Sequence, residues 1–275
     1  MRELFKSVGT LVYFIVAQII GTLVLVAYKA GTDSTWVDKV GKAINQDGVL
    51  SSEYLILIGE LIIPALIIAD CLIIIPVLIN SYRQNSQLIR SMSPSLAVKL
   101  FILGCALNTI VSYVVWLLPK SVTTDKYASL VSLVMIDNVF ISFIVNAVLA
   151  ALVEEIIFRK MIIGIYAKKS EVLAIIVSSV LFGLMHMNPI QSTYAFVLGV
   201  ILGYVYVKTE YNLLSPLIIH VTINGTSILY EYAGASIKTL FITLGIMSVI
   251  AVLIHKIVTN NDELIESGVL ENEKD

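Results

Sequence analysis

Two adjacent glutamates and an arginine, Glu154-Glu155-x-x-x-Arg159, lie inside one of the most apolar stretches of the chain; His186, and His220 with Asn224, lie in later apolar stretches. An ionised side chain in hydrocarbon costs at least a few kcal/mol, so acids placed there face a protein interior and are paired or functional. The chain has only 3 histidines, the third being His255 near the end of the last apolar run, so finding two beside these acids narrows the chemistry. Glu155 and Arg159 stand at i and i+4, the helical spacing of an ion pair. Glu154 is turned about 100° away, and its own i+4 position is Phe158. It is the freer carboxylate, suited to take a proton. Phe182 and His186 repeat the i, i+4 spacing, as do His220 and Asn224, so each pair shares one helix face.

These residues must meet at one depth. His186 lies about 15 residues, or roughly 20 Å, into its segment at 1.5 Å per residue. Glu154 reaches that depth only if its helix continues past Arg159 to about Tyr166, ahead of Lys168 and Lys169. The spacing therefore predicts one long fourth span from about Ile136 to Tyr166.

The elements that carry these residues belong to a membrane protein. Of 275 residues 58% are hydrophobic and 14% charged, with mean hydropathy +0.92, far from a soluble domain. A net charge of −2 gives no basic excess for nucleic acid. The first apolar run, about Val8 to Tyr28, is too long for a signal core and reads as a retained span. Further spans are expected at about Tyr54 to Asn80, Leu96 to Leu118, Ile136 to Tyr166, Glu171 to Met187, Gln191 to Val207, Leu213 to Tyr232 and Ile237 to Val258. Gly31 to Ser52 reads as a loop outside the bilayer, long enough for a short surface helix, and Pro119 to Leu130 as a second loop. The expected fold is all-α, a polytopic bundle of about eight transmembrane helices forming one domain over 1–275, with a catalytic core at about 136–232. Residues 259–275 read as an acidic, disordered cytoplasmic tail.

With the N-terminus inside, all four arginines and twelve of the eighteen basic residues fall on the cytoplasmic side, so both termini are expected there. Glu60 and Asp70 interrupt the second span about 80° apart on the helix and read as bundle-facing acids, with a substrate-pathway role as the alternative. Cys71 and Cys105 read as small buried hydrophobes. Gly199-x-x-x-Gly203 reads as a close-packing face toward neighbouring helices. Asn224-Gly225-Thr226 matches a glycosylation sequon, but within a span Asn224 reads as a site residue.

Glu154-Glu155-x-x-x-Arg159, Phe182-x-x-x-His186 and His220-x-x-x-Asn224, in that order on three apolar segments, resemble the CPBP family of intramembrane proteases. This family takes in the type II CAAX prenyl endopeptidases and bacterial proteins of bacteriocin processing and self-immunity. The resemblance covers about Val148 to Gly225. It implies hydrolysis of a peptide bond of a membrane-associated protein or peptide, with Glu154 and His186 activating water, and His220 and Asn224 holding the oxyanion or the water. Glu155, Arg159 and Phe182 would support them. It also implies an integral protein of a bacterial plasma membrane, in contact with the lipid bilayer, and leaves oligomeric state open.

No cofactor is required by this reading. Zn2+ stays an open alternative, held by His186, His220, Glu154 and Asn224, although HExxH and cysteine ligands are absent. A metal-free glutamate mechanism is the expectation. Two other functions compete: a non-catalytic membrane scaffold for immunity or regulation, and a proton-coupled transporter using the same titratable groups. Against the transporter, the polar residues cluster in the second half and no inverted repeat is visible.

Overall fold

The computed structural model describes residues 2–47, 52–83, 88–117, 138–187 and 189–266. Every element among them is helical: α1 (Arg2–Thr32), α2 (Ser34–Asp47), α3 (Ser52–Arg83), α4 (Pro94–Leu117), α5 (Val139–Tyr166), α6 (Glu171–Met185), α7 (Pro189–Lys208), α8 (Leu214–Tyr232) and α9 (Ala235–Glu266). Six of them are long and apolar enough to cross a membrane: α1, α3, α4, α5, α7 and α9. Large apolar side chains such as Val12, Ile19 and Leu23 of α1 and Leu240 and Met247 of α9 stay exposed, as a lipid-facing surface requires.

Two of the eight expected spans differ from that picture. α6 is apolar but has only 15 residues, about 22 Å of rise against a hydrocarbon core of roughly 30 Å. It starts at the Ser170 cap, whose side chain accepts a hydrogen bond from Leu173 N, and stops at His186. α8 is long enough at 19 residues but carries His220, Thr222, Asn224, Thr226 and Ser227, which lower its hydropathy. The Gly31 to Ser52 stretch does hold the surface helix, α2, anchored by Trp36, which is buried and donates its ring N–H to Leu57 O at 3.2 Å. The Pro119 to Leu130 loop lies outside the described residues. α9 extends to Glu266, into the segment read from its composition as a tail.

α5 is the central element. It runs to Tyr166 as the depth argument required, with Arg159 in its interior. It is not a regular α-helix, however: Phe143–Leu149 and Ile156–Ile163 are π-helical, with Ala150–Glu155 between them. Such wider turns shift the phase of side chains that follow them and concentrate at functional sites. One core joins α1, α3, α5, α6 and α7 through Ala17, Ala69, Ile73, Val153, Phe158, Phe182 and Ala195; a second joins α4, α7 and α8 through Leu100, Leu202 and Ile219.

α3 contains Pro64 and Pro76. Pro76 has no N–H, so the Leu72 carbonyl lacks its helical donor; the Tyr13 hydroxyl of α1 donates to it instead. α1 is fixed at its other end by the ion pair of Glu3 with Lys169 at 3.0 Å and by Ser7 donating to Tyr166 Oη at 3.2 Å. Hydrogen bonds from its own backbone amide and from Lys169 hold the Glu3 carboxyl below the usual carboxylate range.

The α3–α4 connection is clamped to the α7–α8 turn. Asn212 accepts from Arg90 N at 3.0 Å and donates to Arg90 O at 3.1 Å, while Leu213 N donates to Leu88 O at 3.2 Å. That turn holds Glu210 and Tyr211 at φ 54 and 61, and Tyr211 donates to Glu171 at 2.8 Å. Burial together with this bond pushes the Tyr211 hydroxyl above its ordinary range. These contacts bring the start of α1 to Lys169 and the α3–α4 connection to the α7–α8 turn.

Candidate active site

The α-helical turn Ala150–Glu155 delivers the two glutamates in different directions. Glu155 Oε2 lies 2.9 Å from Arg159 Nε, both side chains fully buried, as the i, i+4 spacing predicted. Its other oxygen, Oε1, contacts His220 Nδ1 at 2.8 Å. Glu155 therefore joins α5 to α8 as well as pairing within its own helix. Glu154 is 27% exposed, and its Oε2 stands 3.4 Å from His220 Nε2. The imidazole of His220 thus has a carboxylate at each nitrogen, and Arg159–Glu155–His220–Glu154 form one continuous charged chain.

Arg159 has few other partners for so buried a group. Its Nη1 reaches Ser178 Oγ at 3.5 Å, and its guanidinium carbon sits 4.9 Å from the centroid of the Phe182 ring. Nη2 has no hydrogen-bond partner among the described residues. Ser178 in turn donates to Phe158 O at 2.7 Å, tying α6 to the second π-helical segment.

Phe182 is the hub of the apolar side of the site. Its ring lies edge-on to His186 at 5.0 Å, to His220 at 5.8 Å and to Phe158 at 5.1 Å between centroids. His186 is the residue that ends α6. Its Nδ1 lies 2.8 Å from Phe182 O; a carbonyl only accepts, so Nδ1 carries the proton and Nε2 of the neutral ring keeps a lone pair. Met187 beside it has φ 52, an uncommon conformation for a non-glycine residue.

The α6–α7 packing is set by small residues. A Cβ added at Gly199 would lie 3.1 Å from Ser179, and Gly203 faces Ile175 of α6 and Ile163 of α5. This glycine pair works inside the bundle, as its spacing suggested.

Asn224 lies one turn beyond His220 on α8, and its Nδ2 donates to Asn146 O in the first π-helical segment at 3.4 Å. The approach is close because a Cβ at Gly225 would lie 2.6 Å from Phe143. From the far side, Asn108 of α4 donates to Thr226 Oγ1 at 3.0 Å and accepts from Ser227 at 3.0 Å.

The sequence-derived residues thus lie on α5, α6 and α8. The neighbour of Glu154 is His220; His186 meets Phe182. Ser178, Asn146 and Asn108 were not singled out from sequence, and a serine or asparagine in an apolar run gives no spacing signal that would mark it. Asp70 of α3 comes within electrostatic range of Glu154, a relation between distant helices that their order along the chain does not encode.

Among the described residues no three His, Cys, Asp or Glu side chains are grouped to hold a metal ion. His186 Nδ1 is bound to a carbonyl and His220 Nδ1 to a carboxylate, which leaves Nε2 of each ring as the nitrogen that faces the site.

Residues 136–226 match the family described as Type II CAAX prenyl endopeptidase Rce1-like. The Rce1-like stretch begins just before α5 and ends two residues past Asn224, so it contains Glu154, Glu155, Arg159, Phe182, His186, His220 and Asn224, while Asp70 and Asn108 lie outside it. α1 to α4 and α9 lie outside it. No curated protein and no solved structure matches the chain.

Proposed function

We propose that the protein is an intramembrane endopeptidase that hydrolyses a peptide bond of a membrane-associated protein or peptide, with Glu154 as the base. The observation that carries this reading is the contrast in burial between the two adjacent glutamates: Glu155 is sealed, while Glu154 is 27% exposed at the same helical turn. The Rce1-like match over 136–226 supports the reaction class.

In this mechanism Glu154 takes a proton from water as the water oxygen attacks the carbonyl carbon. The negative charge that develops on the carbonyl oxygen is met by Asn224 Nδ2–H and by an N–H of His220. Glu155 fixes the His220 ring through Nδ1, and Arg159 balances Glu155. When the tetrahedral intermediate collapses, the C–N bond breaks and Glu154 passes its proton to the leaving amine, restoring the carboxylate. His186 Nε2, with its lone pair, accepts a hydrogen bond from the same water. The apolar walls around Phe182 and Phe158 exclude bulk water and so strengthen each of these interactions. The face that carries Arg90, Lys169 and Lys208 is the cytoplasmic one in this reading.

The test is cleavage of membrane-anchored peptides by purified protein, comparing wild type with Glu154→Ala and His220→Ala. Both variants should lose cleavage while keeping the helical circular-dichroism signal, and a chelator should leave wild-type activity in place. Cleavage unaffected by either substitution would sink the assignment. Activity lost to the chelator and restored only by zinc would overturn the metal-free mechanism.

A further inference from the structure

Asp70 is 6% exposed on α3, makes no hydrogen bond or ion pair with any described residue, and interacts electrostatically with another carboxylate, Glu154. A buried acid without a partner is costly, and a second acid beside it raises the cost. The Ala69 and Ile73 side chains that flank it pack into the core with Val153, Ile156 and Ile157, so this part of α3 lies directly against the turn that carries the glutamates.

Asp70 also heads an apolar stripe. Ile74 and Leu78 follow it at i+4 and i+8 on the same face of α3. Both line a half-enclosed cleft of about 280 Å3 that is closed by Leu152 and Ile156 of α5 and by Leu88 and Leu213 of the clamped connection. The stripe from Asp70 to Leu78 spans about 12 Å, the reach of roughly four residues of extended peptide. Asp70 lies 13 residues before Arg83 and Glu154 lies 12 residues before Tyr166, so both sit roughly 18 to 20 Å from the ends of their helices. The cleft therefore runs from the α3–α4 connection toward the level of the proposed base, lined by aliphatic side chains, and Asp70 lies one helical turn beyond its last α3 residue, Ile74.

We infer that Asp70 is a specificity-determining residue that pairs with a lysine or arginine of the substrate beside the scissile bond, with aliphatic substrate residues lying in the cleft above it. The inference rests on the peptidase reading and names the substrate class: a peptide segment with one basic residue within about four positions of aliphatic residues. The substrate's cation supplies the charge that the protein withholds. Until it arrives, Asp70 has no cationic partner among the described residues.

Binding tests this without turnover. Full-length protein in zwitterionic nanodiscs is titrated into fluorescein-labelled ten-residue aliphatic peptides carrying a single Lys, walked through each position, or Gln in its place; binding to empty nanodiscs is subtracted. Wild type should bind the best Lys peptide about tenfold more tightly than its Gln counterpart, a difference of about 1.4 kcal/mol. Asp70→Asn should abolish that preference and leave Gln-peptide affinity unchanged, whereas Asp70→Glu should retain most of it. Equal binding of Lys and Gln peptides by wild type, a comparison that needs no variant, overturns the inference, as does a preference that survives Asp70→Asn. An Asp70-dependent preference without cleavage of any peptide would leave this inference standing and refute the peptidase reading; cleavage without the preference would do the reverse.

Discussion

On one face of α5 the charges are closed off. Glu155 and Arg159 have no exposure, each contacts the other, and Glu155 is also bound to His220. On the neighbouring face Glu154 is partly open, meets His220 and lies within electrostatic range of Asp70, and no lysine or arginine forms an ion pair with either acid among the described residues. A single helical turn thus treats two identical side chains in opposite ways. The sealed pair neutralises its charge between its own members and gives α8 a fixed attachment point through His220, whereas the open side stays accessible to water.

The largest expected effect separates the two glutamates. Glu154→Gln should lower the cleavage rate by about 10²- to 10⁴-fold and leave thermal stability unchanged. Glu155→Gln leaves Arg159 buried and unpaired, and should destabilise the protein by about 3–5 kcal/mol. The double variant Glu155→Leu with Arg159→Met should recover most of that stability but not the activity, because His220 Nδ1 loses its acceptor. Thermal unfolding and a peptide-cleavage assay on the four proteins decide the matter. If Glu154→Gln destabilises as much as Glu155→Gln, the two faces are alike and the comparison fails.

Asn224→Ala should cost about 10²- to 10³-fold in kcat with little change in KM, since the amide is needed for the developing oxyanion and not for the bound peptide. A change in KM alone would move Asn224 from the oxyanion to substrate binding. Smaller still is Tyr13→Phe, which leaves the Leu72 carbonyl beside Pro76 without its donor. A loss of about 1–3 kcal/mol of stability is expected, with no change in KM for peptide, and a shifted KM would show that this part of α3 also shapes the open face.

The local part of the site was legible because it depends only on helical repeat. The i, i+4 relation of Glu155 to Arg159 holds in the structure at 2.9 Å, and the depth argument found the course of α5 through to Tyr166, since residues on separate helices must share a level to meet. Phe182 was picked out by its spacing from His186, and it turns out to touch both histidines and Arg159. The span count was less legible. α6 reads as a span by composition but stops at His186, where the chain turns back before it has risen the full hydrocarbon thickness.

The amino-acid sequence by itself determined that the chain is a helical membrane bundle, which residues are polar within it, and which of them pair inside one helix; hydropathy and the 3.6-residue repeat act over a few turns and need no partner. Only the tertiary structure decided that Glu154 faces His220, that Asn224 reaches Asn146, and that Asp70 comes within electrostatic range of Glu154. The physical reason lies in helix phase and closeness of approach. The π-helical segments Phe143–Leu149 and Ile156–Ile163 reset the direction of side chains along α5, and the approach of Gly225 to Phe143 sets how near α8 can come. Both are settled by packing between helices far apart in the chain.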